Sequence, residues 1–298
     1  MKNLKYNILF IENDTRFVES TKLHIEPYLE KLGFKLVTVH KLGEDFKADE
    51  IEDSTDLILL DLNLNDNIKG SDLIPKIRSN QIMADILFYS GATESFKEQL
   101  ESMSVVDGVY FCYDRTELNT KIKNLISKSI KKHQTVSNLR GLVISEAIDL
   151  EAKMTQVIIK FFGLLGRPRE EIFYRRILAP DVLMLGKKSF LIHSICKQLD
   201  KELNEELQNC EEDEVLQKQQ LIEDIANIYS ECKNIKKEII DIRNILSHVQ
   251  PMNSNSNTLK SNFPGLETPI TIDNDWCIIT RKNLIKHADN LDKLLDRI

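Results

Sequence analysis

The sequence has no apolar run approaching the ~20 residues that a membrane span requires. Met1 to Asn7 also lacks the long apolar stretch of a signal peptide. A soluble, cytoplasmic protein with no membrane partner is the expectation. Cysteine is sparse: Cys112, Cys196, Cys210, Cys232 and Cys277 are scattered, and no pair has metal-ligand spacing. An odd count argues against a disulfide framework, leaving buried free thiols as the ordinary reading. An excess of basic charge is missing too. The net charge is −7; residues 1–133 hold 18 basic and 22 acidic residues, and the remainder 22 and 25. Neither part carries the basic field of a DNA-binding module, which argues against a transcription factor. No internal repeat is visible.

What is present suggests two domains, 1–133 and 134–298, in a chain of 298 residues. In the first, short apolar runs alternate with helical periodicity. Tyr6–Ile11, Lys35–His40, Leu57–Leu60, Asp85–Tyr89 and Gly108–Tyr113 read as strands. Arg16–Leu32, Ser71–Ser79, Glu94–Met103 and Thr116–Lys131 read as helices, with Pro75 expected to restrict or bend the second. The alternation predicts a doubly wound, five-stranded parallel sheet covered on both faces, flavodoxin-like in class.

The second part reads as an all-α helical bundle. Ser137–Phe162 places Leu142, Ala147, Leu150, Met154, Val157 and Ile158 along one side. Ser189–Leu207 and Glu214 to about Val249 are further helices, Met252–Thr268 a loop, Trp276–Thr280 a short strand, and Arg281–Ile298 a closing helix.

In an open parallel sheet, ligands sit at the carboxyl ends of the strands. Here those ends carry Glu12, Asn13 and Asp14, then Asp61, then Ser90 and Gly91. Carboxylates gathered there can hold Mg²⁺, whose charge offsets a phosphoryl group arriving on Asp61. This ordered set resembles the receiver family of two-component response regulators, over residues 5 to 131. The resemblance implies Asp61 as phosphoacceptor and Glu12 and Asn13 in the acidic-pair positions. It also implies an Asn63 backbone carbonyl on the metal, Ser90 as the switch hydroxyl and Gly70 as the glycine that follows. It implies a bacterial protein with a histidine kinase or small phosphodonor as partner. Two positions depart from the pattern. Asn13 removes a charge from the metal site, and the lysine after strand five is absent, with Lys69 or Arg115 as candidate substitutes.

The sharpest feature of the second part is Asp241-Ile242-Arg243-Asn244-Ile245-Leu246-Ser247-His248. Pro251 follows, so the helix should end near His248. Arg243 and His248 are five apart, and a regular helix splays them by about 140° at ~100° per residue. They converge on a frayed last turn, or when a second copy of the helix supplies the partner. A neutral His can take the proton of a 2′-hydroxyl, and an Arg fork can stabilise charge on the phosphate. The pattern Arg-Asn followed by three residues and His resembles the HEPN family, many members of which are ribonucleases, often toxins or defence effectors. The resemblance implies metal-independent RNA cleavage by 2′-hydroxyl attack in a homodimer, with Arg243, Asn244 and His248 in the cleft and no cofactor there. The alternative is a signalling adaptor whose helical part is an inert dimerisation or partner-binding module. A second basic cluster, Arg167, Arg169, Arg175, Arg176, Lys187 and Lys188, reads either as a solvated loop between helices or as a contact for RNA phosphates.

Overall fold

The structure is a computed structural model, and it describes residues 3–65, 68–91, 107–132, 134–164, 166, 170–179, 183–208, 214–249, 257–259 and 270–298. The chain folds as two compact units: Leu4–Gln134, and Thr135–Ile298 joined by Met1–Asn3.

The first unit is built on five strands, β1 (Lys5–Ile11), β2 (Lys35–Lys41), β3 (Leu57–Asp61), β6 (Asp85–Tyr89) and β7 (Val109–Cys112). They form one parallel sheet in the order β2-β1-β3-β6-β7. A short antiparallel hairpin, β4 (Asn63–Asn65) with β5 (Ile68–Lys69), follows β3. Without that hairpin the sheet order is 2-1-3-4-5, a doubly wound order with its switch point beside β1 and β3. The period-two alternation of the strands divides the core. Tyr6, Ile8, Phe10, Leu57 and Leu59 pack with helices α1 (Thr15–Leu32) and α3 (Arg115–Lys132). Leu9, Ile11, Ile58 and Leu60 point the other way, against α2 (Gly70–Ser79). Local signals fix the helix ends. The Asp14 carboxylate caps α1 by accepting from the Arg16 and Phe17 amides, and Gly33 closes it at φ 78°. Helix α2 runs through Pro75. The helix expected at Glu94–Met103 lies outside the described residues.

The second unit is helical. Its helices are α4 (Val136–Phe161), α5 (Leu185–Leu207), α6 (Val215–Cys232), the short α7 (Asp241–His248) and α8 (Asn274–Arg297), with a further short helical stretch at Glu170–Leu178. Leu139, Val143, Leu150, Met154, Val157 and Ile158 of α4 are buried, with Val143 rather than Leu142 on the inner side. The Nζ of Lys188 on α5, 1% exposed, lies 2.8 Å from the Glu151 carboxylate of α4, a nearly dry ion pair between the two helices.

Two expectations are corrected. Trp276–Thr280 is not a strand but the first turns of α8. Its β-branched run favours a strand locally, but burial of Cys277, Thr280, Arg281 and Leu284 follows helical spacing, and Asp273 caps the helix by accepting from the Trp276 amide at 2.8 Å. The segment Glu214–Val249 is not one helix either. It breaks at Lys233 and Asn234 and resumes through a π-turn at Lys236–Ile240. That turn sets Glu238 against α8, where its Oε2 receives Lys286 Nζ at 2.7 Å and His287 Nε2 at 2.8 Å. Only Asn257–Leu259 of the expected loop at Met252–Thr268 is described, and Thr258–Leu259 pairs antiparallel with Ile270–Thr271.

Candidate functional site

In the first unit the strand ends converge as the topology requires. Asp61 closes β3 and is 5% exposed, Glu12 follows β1 and is 2% exposed, and Ser90 follows β6 and is buried. Burial pushes the Asp61 carboxyl up to about 6, with the Glu12 charge adding to the rise and Arg115 and the Leu62 amide pulling it down. Both Glu12 carboxylate oxygens accept a hydrogen bond. The Asp14 amide donates to Oε1 at 2.9 Å, and the buried Tyr89 hydroxyl donates to Oε2 at 2.9 Å. Burial, together with the adjoining Glu12 and Asp61 carboxylates, holds that phenol well above its usual range. His40 Nε2 lies 2.7 Å from the Glu12 carbonyl oxygen.

Among the described residues, the cation at this pocket is Arg115. Its Nη2 is 3.5 Å from Asp61 Oδ1 and 3.8 Å from Glu12 Oε2. Of the two candidate substitutes for the absent lysine, the structure thus brings Arg115 to Asp61. Lys69 is exposed on β5, opposite Asn63.

The remaining residues of the expected metal set are placed differently. The Asn13 side-chain oxygen accepts from the Gly43 amide at 2.9 Å. Asn63 is exposed and paired to Lys69 in the hairpin. Mg²⁺ favours near-octahedral oxygen donors. Here the Glu12 oxygens already have protein donors, Asn13 is committed elsewhere, and a guanidinium faces Asp61. Among the described residues no group of three or more His, Cys, Asp or Glu side chains is placed to hold a metal ion. Two carboxylates at a strand end call for a cation in kind, and in this arrangement the group that faces them is a guanidinium.

Sequence reasoning missed Tyr89 and His40. Tyr89 reads in the sequence only as the last residue of a strand, yet a tyrosine at the end of a buried strand needs a partner for its hydroxyl, and that need was the available signal.

In the second unit, α7 ends at His248, and Val249 turns extended at φ −97° and ψ 133°. Arg140 of α4 holds that end by donating to the Val249 carbonyl oxygen. The Arg243 guanidinium donates to Asn244 Oδ1 at 3.1 Å, and Ser247 Oγ donates to the Arg243 carbonyl oxygen at 2.7 Å. Arg243 and Asn244 line a cavity of about 700 Å³ together with Glu151, Lys187, Phe190 and Lys236. His248 is exposed and is not among the described residues that line it. One chain therefore gathers Arg243 and Asn244 but not His248. Of the second basic cluster, Lys188 is buried on Glu151, Arg175 pairs with Glu171 at 2.7 Å, and Arg167 and Arg169 lie outside the described residues.

Comparison with known proteins gives likeness only among solved structures. No family model matches the sequence, and no curated protein does. The signal receiver domain of a Luxo repressor protein from Vibrio parahaemolyticus is similar at 19% identity and TM-score 0.34, covering 43% of this chain and 92% of that one. A CheY-like response regulator receiver domain from Methanospirillum hungatei shares 21% identity at TM-score 0.32, over 43% and 98%. The REC domain of the Erythrobacter litoralis response regulator PhyR shares 19% at 0.31, over 42% and 90%. The strand order of this chain by itself makes the first unit a doubly wound, flavodoxin-like α/β fold. No described helix is long and apolar enough to cross a membrane.

Proposed function

We propose that the protein is a response regulator whose receiver-type unit controls a helical unit that cleaves RNA without a metal. The observation that carries this reading is the cavity of the helical unit, where Arg243 and Asn244 meet Lys187 and Lys236. Three cationic side chains around one cavity suit a phosphodiester, and an Arg fork can hold charge that develops on its oxygens. His248, supplied by a second copy, takes the proton of the 2′-hydroxyl. That oxygen attacks the adjoining phosphorus, the bond to the 5′-oxygen breaks as that oxygen takes a proton from water to leave as a 5′-hydroxyl, and a 2′,3′-cyclic phosphate remains. Asn244, bonded to Arg243, orients the guanidinium.

In the receiver-type unit, Asp61 is the acceptor of input from a histidine kinase or small phosphodonor, and Ser90 the neighbouring hydroxyl that responds. The test is incubation of purified protein with total RNA, wild type against His248→Ala, with EDTA and with or without acetyl phosphate. Cleavage that needs His248 and survives EDTA is expected. A second reading is an adaptor that binds a partner through this face. It is favoured by the exposed side chains of Met184 and Phe190, which also line the cavity. Full cleavage by His248→Ala, or none by the wild type, would promote it.

A further inference from the structure

Arg115 is placed by the start of α3. The Asp114 carboxylate caps that helix, accepting from the Thr116 amide at 2.8 Å and its hydroxyl at 2.7 Å. Arg115 is thereby the first helical residue, with its guanidinium carbon 4.7 Å from the centre of the Phe17 ring of α1. That cation–π contact holds the guanidinium over the ring. The fork points at two carboxylates that water hardly reaches: Glu12 and Asp61 side chains are 3% and 6% exposed, whereas the arginine is 40% exposed. Gly91, after β6, lies beside the arginine: a Cβ there would be in ordinary contact with the Arg115 Nε at 3.4 Å. The guanidinium thus sits at the mouth of the pocket with the carboxylates behind it.

Two buried carboxylates side by side need a counter-charge. In a receiver-type fold a divalent cation would be the ordinary source. Here the donors that would hold one are directed at protein groups, and the arginine supplies the charge. We propose that Arg115 is the resident cation of this pocket, replacing a divalent metal and keeping Mg²⁺ out while it is seated between Glu12 and Asp61. The pocket is then a metal-independent switch, whose state is set by whether the guanidinium is in or out. This inference concerns the receiver-type unit and does not depend on RNA cleavage.

The full chain is titrated with MgCl₂ by calorimetry and by thermal unfolding, as wild type, Arg115→Gln, Arg115→Ala and Arg115→Lys. The wild type is expected to show no saturable binding and no shift in melting temperature at millimolar Mg²⁺. Arg115→Gln and Arg115→Ala are expected to bind Mg²⁺ about thirtyfold more tightly, the order that follows from removing one charge ~4 Å from a divalent ion in water. Their melting temperatures should rise with Mg²⁺ accordingly. Arg115→Lys keeps the charge and should behave like the wild type. Saturable millimolar binding by the wild type overturns the proposal, whether or not the variants fold. So does an Arg115→Gln protein that takes Mg²⁺ no better than the wild type.

Discussion

Gly70 stands so close to Asp61 that a Cβ on it would lie 2.1 Å from the Asp61 carbonyl oxygen and 2.8 Å from the Phe88 ring. The first of these is a backbone atom at the end of a central strand, and it cannot move without shifting the site. Contact is enforced from both sides, because the Gly70 amide also donates to the Leu62 carbonyl oxygen at 2.8 Å. Glycine starts α2 here because nothing larger fits, not because of its backbone conformation. Gly70→Ala is expected to destabilise the first unit by ~1–3 kcal/mol, the usual cost of overpacking, despite the better helix propensity of alanine. The check is the denaturant midpoint, which should fall. An unchanged midpoint would show that β3 yields more easily than this packing implies.

Asp61 should make the protein less stable as pH rises. Its carboxyl is raised from 3.8 to about 6, chiefly by burial. Between these values the folded state binds more protons than the unfolded one, so stability falls as pH climbs through the window. Above pH ~6 the full penalty is in place, on the order of 1–3 kcal/mol for a shift of this size. Asp61→Asn removes the buried charge. It should therefore be more stable than wild type at pH 8 and no more stable at pH 4. Unfolding curves at both values decide it, and an Asn variant that is weaker at pH 8 contradicts the burial argument.

The Lys188–Glu151 pair makes an asymmetric prediction. Lys188 is 1% exposed and Glu151 18%. Removing the glutamate strands an ammonium with no water, whereas removing the lysine leaves a carboxylate that water can reach. Glu151→Ala should cost about 3–5 kcal/mol. Lys188→Met keeps the volume and buries no charge, so its cost should be clearly smaller. Equal costs for the two variants, measured by chemical denaturation, would mean that packing rather than charge dominates this contact.

The strands of the first unit were legible because burial on both faces leaves continuous apolar runs, as in Leu57–Leu60, and because acids mark where those runs end. The role of Arg115 stayed open between two residues because a contact made from the start of a later helix leaves no local pattern. Asn13 looked like part of the site by position, and only the Gly43 amide shows where its oxygen goes. In the second unit, Trp276–Thr280 misled because its β-branched run was weighed without the helical spacing of Cys277, Arg281 and Leu284 beyond it. The break before α7 was hidden because neither glycine nor proline marks it: Lys233 and Asn234 both suit a helix well enough, and the contacts of Glu238 with Lys286 and His287 lie 48 and 49 residues away in the chain.

The last prediction concerns how many chains make one catalytic cleft. Arg243 faces the cavity and His248 does not line it, so a cleft that needs both should draw them from two copies. Arg243→Ala and His248→Ala should each lose RNA cleavage, by ~10²–10³ for the charge-stabilising fork and ~10²–10⁴ for the base. Neither should unfold the protein. His248 is exposed and Arg243 only half-buried, and truncating such side chains usually changes stability by ~0.5 kcal/mol or less. Mixing the two inactive proteins then separates the models. In a mixed dimer one cleft lacks both groups, while the other keeps Arg243 from one chain and His248 from its partner. Activity should therefore reappear in the mixture, far above either variant alone, with products ending in 2′,3′-cyclic phosphate. If each chain builds its own site, every cleft in the mixture lacks one group and no activity returns. A mixture that stays inactive while co-purification of differently tagged chains shows mixed dimers would rule out the shared cleft and move His248 to a local role at the end of α7.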